Sequence, residues 1–451
     1  MSAHGGPPTT GELLRGVVAL ACVVAARLAL ERFDFHLDAG HGGAGPLFSL
    51  GFLIVAGHVC GGIAAFVRLP RLTGYLLAGL AAGPQGAGML DAHDVKALTL
   101  VNTLALALIA LQAGAEITLP VLRRTWLSVG ASAIAQVLLV IPGMAVVFWA
   151  LSSWVPFAAE LAPGALVAVA LLWGTLAFTR SPSVTLAVLG ETRAKGPLAD
   201  WSIGIVVVLD VLILPLFALV LAMARSQLLG DPVSLGMLTH IGQELFASFA
   251  AGVTFGLVVG VLFRFVDKER VLVLVVLSYG VTALSVYLGY DTLFVFVVAG
   301  FVAMNLTRSG PALISASETT SGAVMIVFFA TAGAKLDLAA LYALWPVVIA
   351  LFLARIAFSI AAAKLGHRLA RDPAPVRKNA WLVLVSQAGV TIGLATVVGD
   401  ALPGLGGKFA SLCVAVVALN ELFGAALTKW ALTRAGEVPT DTAAHDEPAR
   451  A

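Results

Sequence analysis

Charge is what this sequence has least of. Asp, Glu, Lys and Arg make up 12% of its 451 residues, about half the share carried by soluble domains. A chain so poor in charge cannot clothe a water-soluble surface, and that class is excluded. The charges it does have nearly cancel, at a net of +2, which argues against a nucleic-acid partner. Cysteine is equally sparse. Cys22, Cys60 and Cys413 lie in apolar stretches without CxxC spacing, so neither a disulfide framework nor a metal site is expected, and they read as small packing residues. No HExxH, GxSxG or pair of catalytic acids falls within an apolar run, so the chain does not read as an intramembrane enzyme. No GxGxxG follows a strand pattern, so no nucleotide-binding domain and no cofactor is expected. The first apolar run lacks a small-residue cleavage site, and no removable leader is expected.

Hydrophobicity is abundant: 60% of residues are hydrophobic and the mean hydropathy is +0.99. Runs long enough to cross the roughly 30 Å hydrocarbon core of a bilayer recur along the chain. They are predicted at about 47–67, 72–90, 97–114, 125–150, 164–190, 199–222, 238–263, 271–288, 291–307, 312–333, 341–366, 379–398 and 407–432. A further segment, 13–30, is weakened by Arg15 and Arg27. The expectation is an all-α polytopic membrane protein with about 13 to 14 transmembrane helices. Residues 1–46 form an N-terminal segment with a possible extra helix, 47–432 the transmembrane domain, and 433–451 a polar tail.

Basic residues fall on alternate loops from residue 47 onward, at Arg68/Arg71, Arg123/Arg124, Arg193/Lys195, Arg264/Lys268/Arg270, Arg308, the cluster 364–378 and Lys429/Arg434. By the positive-inside rule this places the C-terminus in the cytoplasm. Arg32, on the first outer loop, is the exception.

Two apolar runs are interrupted. One breaks at Thr179-Arg180-Ser181-Pro182-Ser183 and the other at Ser386-Gln387-Ala388-Gly389. Proline and glycine open the backbone ladder there, and polar side chains can re-satisfy it. The two halves of the chain also echo each other. Residues 74–83 pair with 295–305, 111–122 with 331–341, 181–190 with 387–399, and 206–212 with 416–422, setting Asp210 opposite Asn420. The charge-derived topology gives the copies opposite orientations. An inverted repeat with a broken helix in each copy is the pattern of a secondary transporter whose site lies near the midplane.

Trp201–Leu221 holds one acid, Asp210, near its middle. An ionised carboxylate there costs roughly 2.5 to 3.5 kcal/mol, so Asp210 needs a polar cavity, a cation or a proton. Arg355 interrupts another run near its centre. Because arginine stays charged, it needs an anion or a polar surrounding, and one cavity shared with Asp210 is expected. Glu421, beside Asn420, is a possible second proton site. Oxygen donors at Thr179, Ser181, Ser183, Ser386 and Gln387, together with half-helix carbonyls, offer the ligand set of a hard monovalent cation. His58 reads as a packed polar residue.

Several stretches carry a family resemblance: RLPRLTGYLLAGLAAGP at 68–84, LQAGAEITLPVL at 111–122, LAFTRSPSVTLAVLGE at 176–191, VVLDVLILPLFAL at 207–219, MIVFFATAGAKLDL at 325–338, LARIAFSIAAAKLGHRL at 353–369 and LVSQAGVTIGLA at 384–395. In their order they resemble the cation:proton antiporter superfamily, on its Kef-like sodium-or-potassium/proton exchanger branch. The resemblance implies a panel or dimerisation domain beside a mobile six-helix core in which two broken helices cross. It implies that Asp210 alternately binds cation and proton, that Arg355 is the core's basic residue, and that 179–183 and 386–389 are the unwound crossings. The sequence departs from the family where Leu209, rather than Asp, Asn or Gln, precedes Asp210. It also lacks the cytoplasmic nucleotide-binding domain of the regulated potassium systems.

The expected function is therefore electroneutral exchange of sodium or potassium for protons across a plasma (bacterial inner) membrane, by a homodimer in contact with lipid. Transport of an organic anion on a related fold is the alternative, and a transport-inactive sensor subunit is a third reading.

Overall fold

In hydrocarbon a backbone must satisfy its own hydrogen bonds, and an apolar run does so as a helix. The computed structural model describes residues 46–439, except 68, 231–234, 267, 336–341, 388 and 403, together with parts of 11–25. The expected extra segment 13–30 and the tail beyond 439 thus lie largely outside the described residues. Every predicted run from 47 onward is helical. The principal helices are α1 (Pro46–Phe66), α2 (Arg71–Ala82), α3 (Thr99–Glu116), α4 (Leu119–Leu151), α5 (Pro163–Phe178), α6 (Pro182–Thr192), α7 (Pro197–Leu229) and α8 (Leu235–Phe265). They continue as α9 (Arg270–Leu288), α10 (Thr292–Leu306), α11 (Gly310–Ala334), α12 (Trp345–Ala370), α13 (Ala374–Val383), α14 (Gly389–Ala401) and α15 (Gly406–Ala435). Among the described residues nine helical stretches are long and apolar enough to cross a membrane, and α3, α10 and α14 are shorter apolar helices.

The helix α2 ends earlier than its apolar run predicted. Pro84, Gly86 and Gly88 follow it, and Gly88 takes a left-handed φ of 66°, so the chain turns before Leu90. Both predicted breaks are real. Between α5 and α6 the backbone is extended at Thr179 and Ser181, and the Ser181 hydroxyl then caps α6 by accepting from Val184 N–H. Between α13 and α14 the helix stops at Val383 and resumes at Gly389.

Apolar side chains gather in two main bodies. One is built chiefly from α4–α7 and α12–α15 and holds both broken helices. The other joins α3 with α8–α11. A smaller cluster ties α1 and α2 to the end of α11. Residues of α2, α3 and α11, such as Tyr75, Ile109 and Phe329, pack onto the first body and form the seam.

The inverted repeat is visible in how glycines let helices cross. A Cβ on Gly79 would overlap the Ala330 carbonyl, and one on Gly333 would overlap that of Leu76. A Cβ on Gly300 would overlap the Leu111 carbonyl, and one on Gly114 that of Val297. In all four cases the carbonyl belongs to the residue three positions before the opposing glycine. The sequence repeat equates Gly79 with Gly300 and Gly114 with Gly333, so α2–α11 and α10–α3 are the same crossing in two copies. Small residues that bring backbones this close supply the packing that hydrophobicity cannot supply between helices in lipid.

Candidate functional site

The two breaks meet inside the first body, where their polar groups satisfy one another. Arg355, fully buried on α12, gives Nε to the Ala177 carbonyl (2.9 Å) and Nη2 to that of Thr179 (2.8 Å). Its Nη1 reaches Val385 O (2.7 Å) and Asn420 Oδ1 (2.8 Å). One guanidinium thus holds the C-terminal carbonyls of both half-helices, the negative ends of their dipoles. Asn420 in turn donates to Gln387 Oε1 (3.0 Å), and Gln387 Nε2 donates to Leu176 O (2.8 Å) and Thr179 Oγ1 (2.9 Å). The Thr179 hydroxyl also meets that of Thr391 at 2.5 Å.

A second guanidinium, which the sequence reading passed over as part of a polar break, serves the same carbonyls. Arg180 is 1% exposed and donates Nη1 to Ala177 O (2.9 Å) and Thr179 O (2.8 Å). Its Nη2 donates to Gln136 Oε1 (2.8 Å) and Ser359 Oγ (3.0 Å). Among the described residues neither arginine is hydrogen-bonded to a carboxylate.

Asp210 stands outside this network. It lines a cavity of about 30 Å³ on the seam, bounded by Val207, Val211 and Leu214 of α7, Val390 of α14, and Asp291, Leu293, Phe294 and Val297 of the other body. That is room for about one or two waters. A second cavity of about 20 Å³, which shares Asp210, Leu293, Val297 and Val390 with the first, brings Asp210 together with Arg180, Ser181 and Ser183. One carboxylate oxygen, Oδ1, is buried without a hydrogen-bond partner among the described residues. A carboxylate left this way wants a cation or a proton.

The structure therefore sorts the residues singled out in the sequence. Ser181 and Ser183, whose hydroxyls lie 3.1 Å apart, share a cavity with Asp210. Thr179, Gln387, Asn420 and Arg355 form the interior network instead. Neither of the two cavities that Asp210 lines includes Arg355, with which a shared cavity was expected. Arg355 and Gln387 line a separate void of about 10 Å³ with Trp173 and Cys413, and the basic residue at the Asp210 cavity is Arg180. Leu209 is fully buried in the first body and lines none of these cavities. Glu421 is 4% exposed, and neither carboxylate oxygen has a partner among the described residues. His58 is exposed on α1 rather than packed. Asp291 and Thr391 were also missed. The only signal for Asp291 was its place before a helix start, and for Thr391 its place opposite Thr185 in the repeat.

At its N-terminal end α7 is held by a residue that follows α15 closely in sequence. The Glu437 carboxylate accepts from Leu198 N–H (2.7 Å) and Ala199 N–H (2.8 Å). The helix carrying Asp210 is thereby tied to the end of α15.

A polytopic helical bundle with an inverted repeat, two crossing broken helices and an unpaired acid beside them defines the secondary-transporter class. Within it the chain belongs to the sodium/hydrogen exchanger transmembrane family, which matches residues 52–433. Among solved structures, the sodium proton antiporter MjNhaP1 from Methanocaldococcus jannaschii at pH 8 superimposes with a TM-score of 0.64. The pair is 17% identical, and the match covers 87% of this chain and 98% of that one. An electron-microscopy structure of the same antiporter gives a TM-score of 0.68 at 15% identity, covering 89% and 98%. At these identities the likeness is one of fold. Among curated proteins none matches the sequence.

Proposed function

We propose that this chain is a secondary active antiporter exchanging a monovalent cation, sodium or potassium, for protons by alternating access. The observation that carries the reading is Asp210: a membrane-embedded carboxylate with an unpartnered oxygen, in a cavity on the seam between two separately packed bodies. A cation and a proton compete for such a group, because each neutralises the charge the other needs. Sliding one body against the other would expose the seam to alternate sides. Ser181 and Ser183 are the nearby oxygens from which part of a hydration shell can be replaced, with Thr179 and Gln387 holding the crossing in shape.

Arg180 and Arg355 cannot carry protons, and Asp210 is the titrating group of the first body at the cavity; exchange is electroneutral where Asp291, the second carboxylate lining it, keeps one protonation state through the cycle. Glu421 is another residue that would make it otherwise. The Kef-like branch, a homodimer and a plasma membrane with the C-terminus inside belong to the same reading. Residues 47–432 form the transporting unit.

One observation favours a second reading. Two buried guanidiniums that have no carboxylate partner among the described residues, one of them in a cavity with Asp210, suit an organic anion. Proteoliposomes containing a pH dye decide between the two when challenged in turn with sodium, potassium, lithium and a small carboxylate. Cation-driven proton efflux supports antiport. Movement with the carboxylate alone would replace it, and silence to all four would refute transport of these ions.

A further inference from the structure

The charges around the Asp210 cavity do not favour a cation if only the first body is counted. That body contributes one carboxylate, Asp210, against a guanidinium, Arg180, which is 1% exposed, lines the smaller of the two cavities that Asp210 borders and has Nε without a partner among the described residues. The other body supplies the missing charge. Asp291, at the start of α10, lines the larger cavity together with Asp210.

We infer that Asp291 is a specificity-determining carboxylate of the ion pathway, raising occupancy by a monovalent cation from the side on which α10 begins. This rests on the antiport reading above. Capping alone does not account for the residue's charge. Asp291 does cap α10, accepting from Phe294 N–H at 2.7 Å, and its own N–H is held by Ser248 Oγ at 3.1 Å. Asparagine or serine caps as well as aspartate, whereas only aspartate sets a second negative charge in one cavity with Asp210, whose other cavity is shared with Arg180. The two acids also sit on different bodies. Asp210 moves with the first and Asp291 stays with the second, so their separation changes through the cycle, and the added attraction acts in one conformation only. By the loop charges, α10 begins on the outer side.

The test uses Asp291→Asn, which keeps the cap and removes the charge. Cation-dependent proton flux is measured in right-side-out and inside-out vesicles over a range of sodium and potassium concentrations. The expected result, at a pH high enough that protons no longer compete, is a KM for the cation raised roughly tenfold from the outer side, the size of one unit-charge interaction across a cavity of molecular dimensions at intermediate dielectric. The inner-side KM and the saturated rate should stay near wild type. Asp291→Ala, which also loses the cap, should add a fall in melting temperature that Asp291→Asn does not show. An unchanged KM on both sides, or an equal rise on both, overturns the role of Asp291 while leaving antiport standing. Absence of cation-driven flux in the wild type overturns both.

Discussion

Replacing Arg355 by alanine should cost less than its four hydrogen bonds suggest, and the shortfall can be located. Two of its acceptors, the Ala177 and Thr179 carbonyls, would keep Arg180 as donor. Val385 O and Asn420 Oδ1 would lose the guanidinium altogether. A buried acceptor left unpaired costs about 1–3 kcal/mol, so Arg355→Ala should destabilise by about 2–6 kcal/mol before any cavity cost. Arg180→Ala strands Gln136 Oε1 and leaves a hydroxyl, Ser359 Oγ, free to turn, which puts it nearer 1–3 kcal/mol. The double variant strips every guanidinium donor from Ala177 O and Thr179 O. It should therefore exceed the sum of the singles by about 2–6 kcal/mol, a coupling expected only between residues sharing partners. Arg355→Lys should recover part of the loss, because an ammonium keeps the charge but not the fork. Thermal unfolding of the four proteins in one detergent measures the cycle. Strictly additive losses, or an unaltered melting temperature for Arg355→Ala, would refute the shared-carbonyl reasoning.

Other consequences can be checked as directly. Apparent cation affinity should weaken as pH falls, because protons and cations compete for Asp210; flux titrations at several pH values would show it. Imposing about 100 mV, worth roughly 2.3 kcal/mol per charge moved, should leave the exchange rate unchanged, with an unrelated permeant ion setting the voltage. A clear response would point to a second proton carrier, Asp291 in the same cavity or Glu421. Gly79→Val should prevent stable insertion or folding, since its side chain would overlap the Ala330 backbone, and yield of monodisperse protein reads this out. Glu437→Ala should cost about 1–2 kcal/mol, as loss of a helix cap does, and lower the melting temperature.

Much of the fold was legible because lipid makes long apolar runs into helices and leaves polar breaks only where protein or water surrounds them. Hydropathy thus found the helical runs from residue 47 onward, and Pro182 and Gly389 marked the crossings. What lay beyond reading was direction. Arg180, flanked by Thr179, Ser181 and Pro182, looks like any charge in a polar turn, and nothing local says that its guanidinium points inward to Gln136 and Ser359. Asp210 and Arg355 were expected to share a cavity because they were the conspicuous charges of two apolar runs. Packing separated them, since Arg355 is consumed by helix-end carbonyls. Asp291 sits where a loop meets a helix, and its approach to Asp210 depends on how two bodies dock, which no local pattern encodes. The glycine pairs were the reverse case. The repeat aligned them in sequence, yet only the crossings revealed why glycine was needed.

The measurement closest to the central claim is cation-induced proton release from preloaded proteoliposomes containing wild type or Asp210→Asn. Neutralising a carboxylate within a membrane helix should not hinder insertion, so the variant is expected to fold, to elute as wild type does and to melt no lower. Release should follow sodium or potassium addition for the wild type and be absent for Asp210→Asn. Release at the wild-type rate from the variant would contradict the assignment of Asp210 as the group for which cation and proton compete.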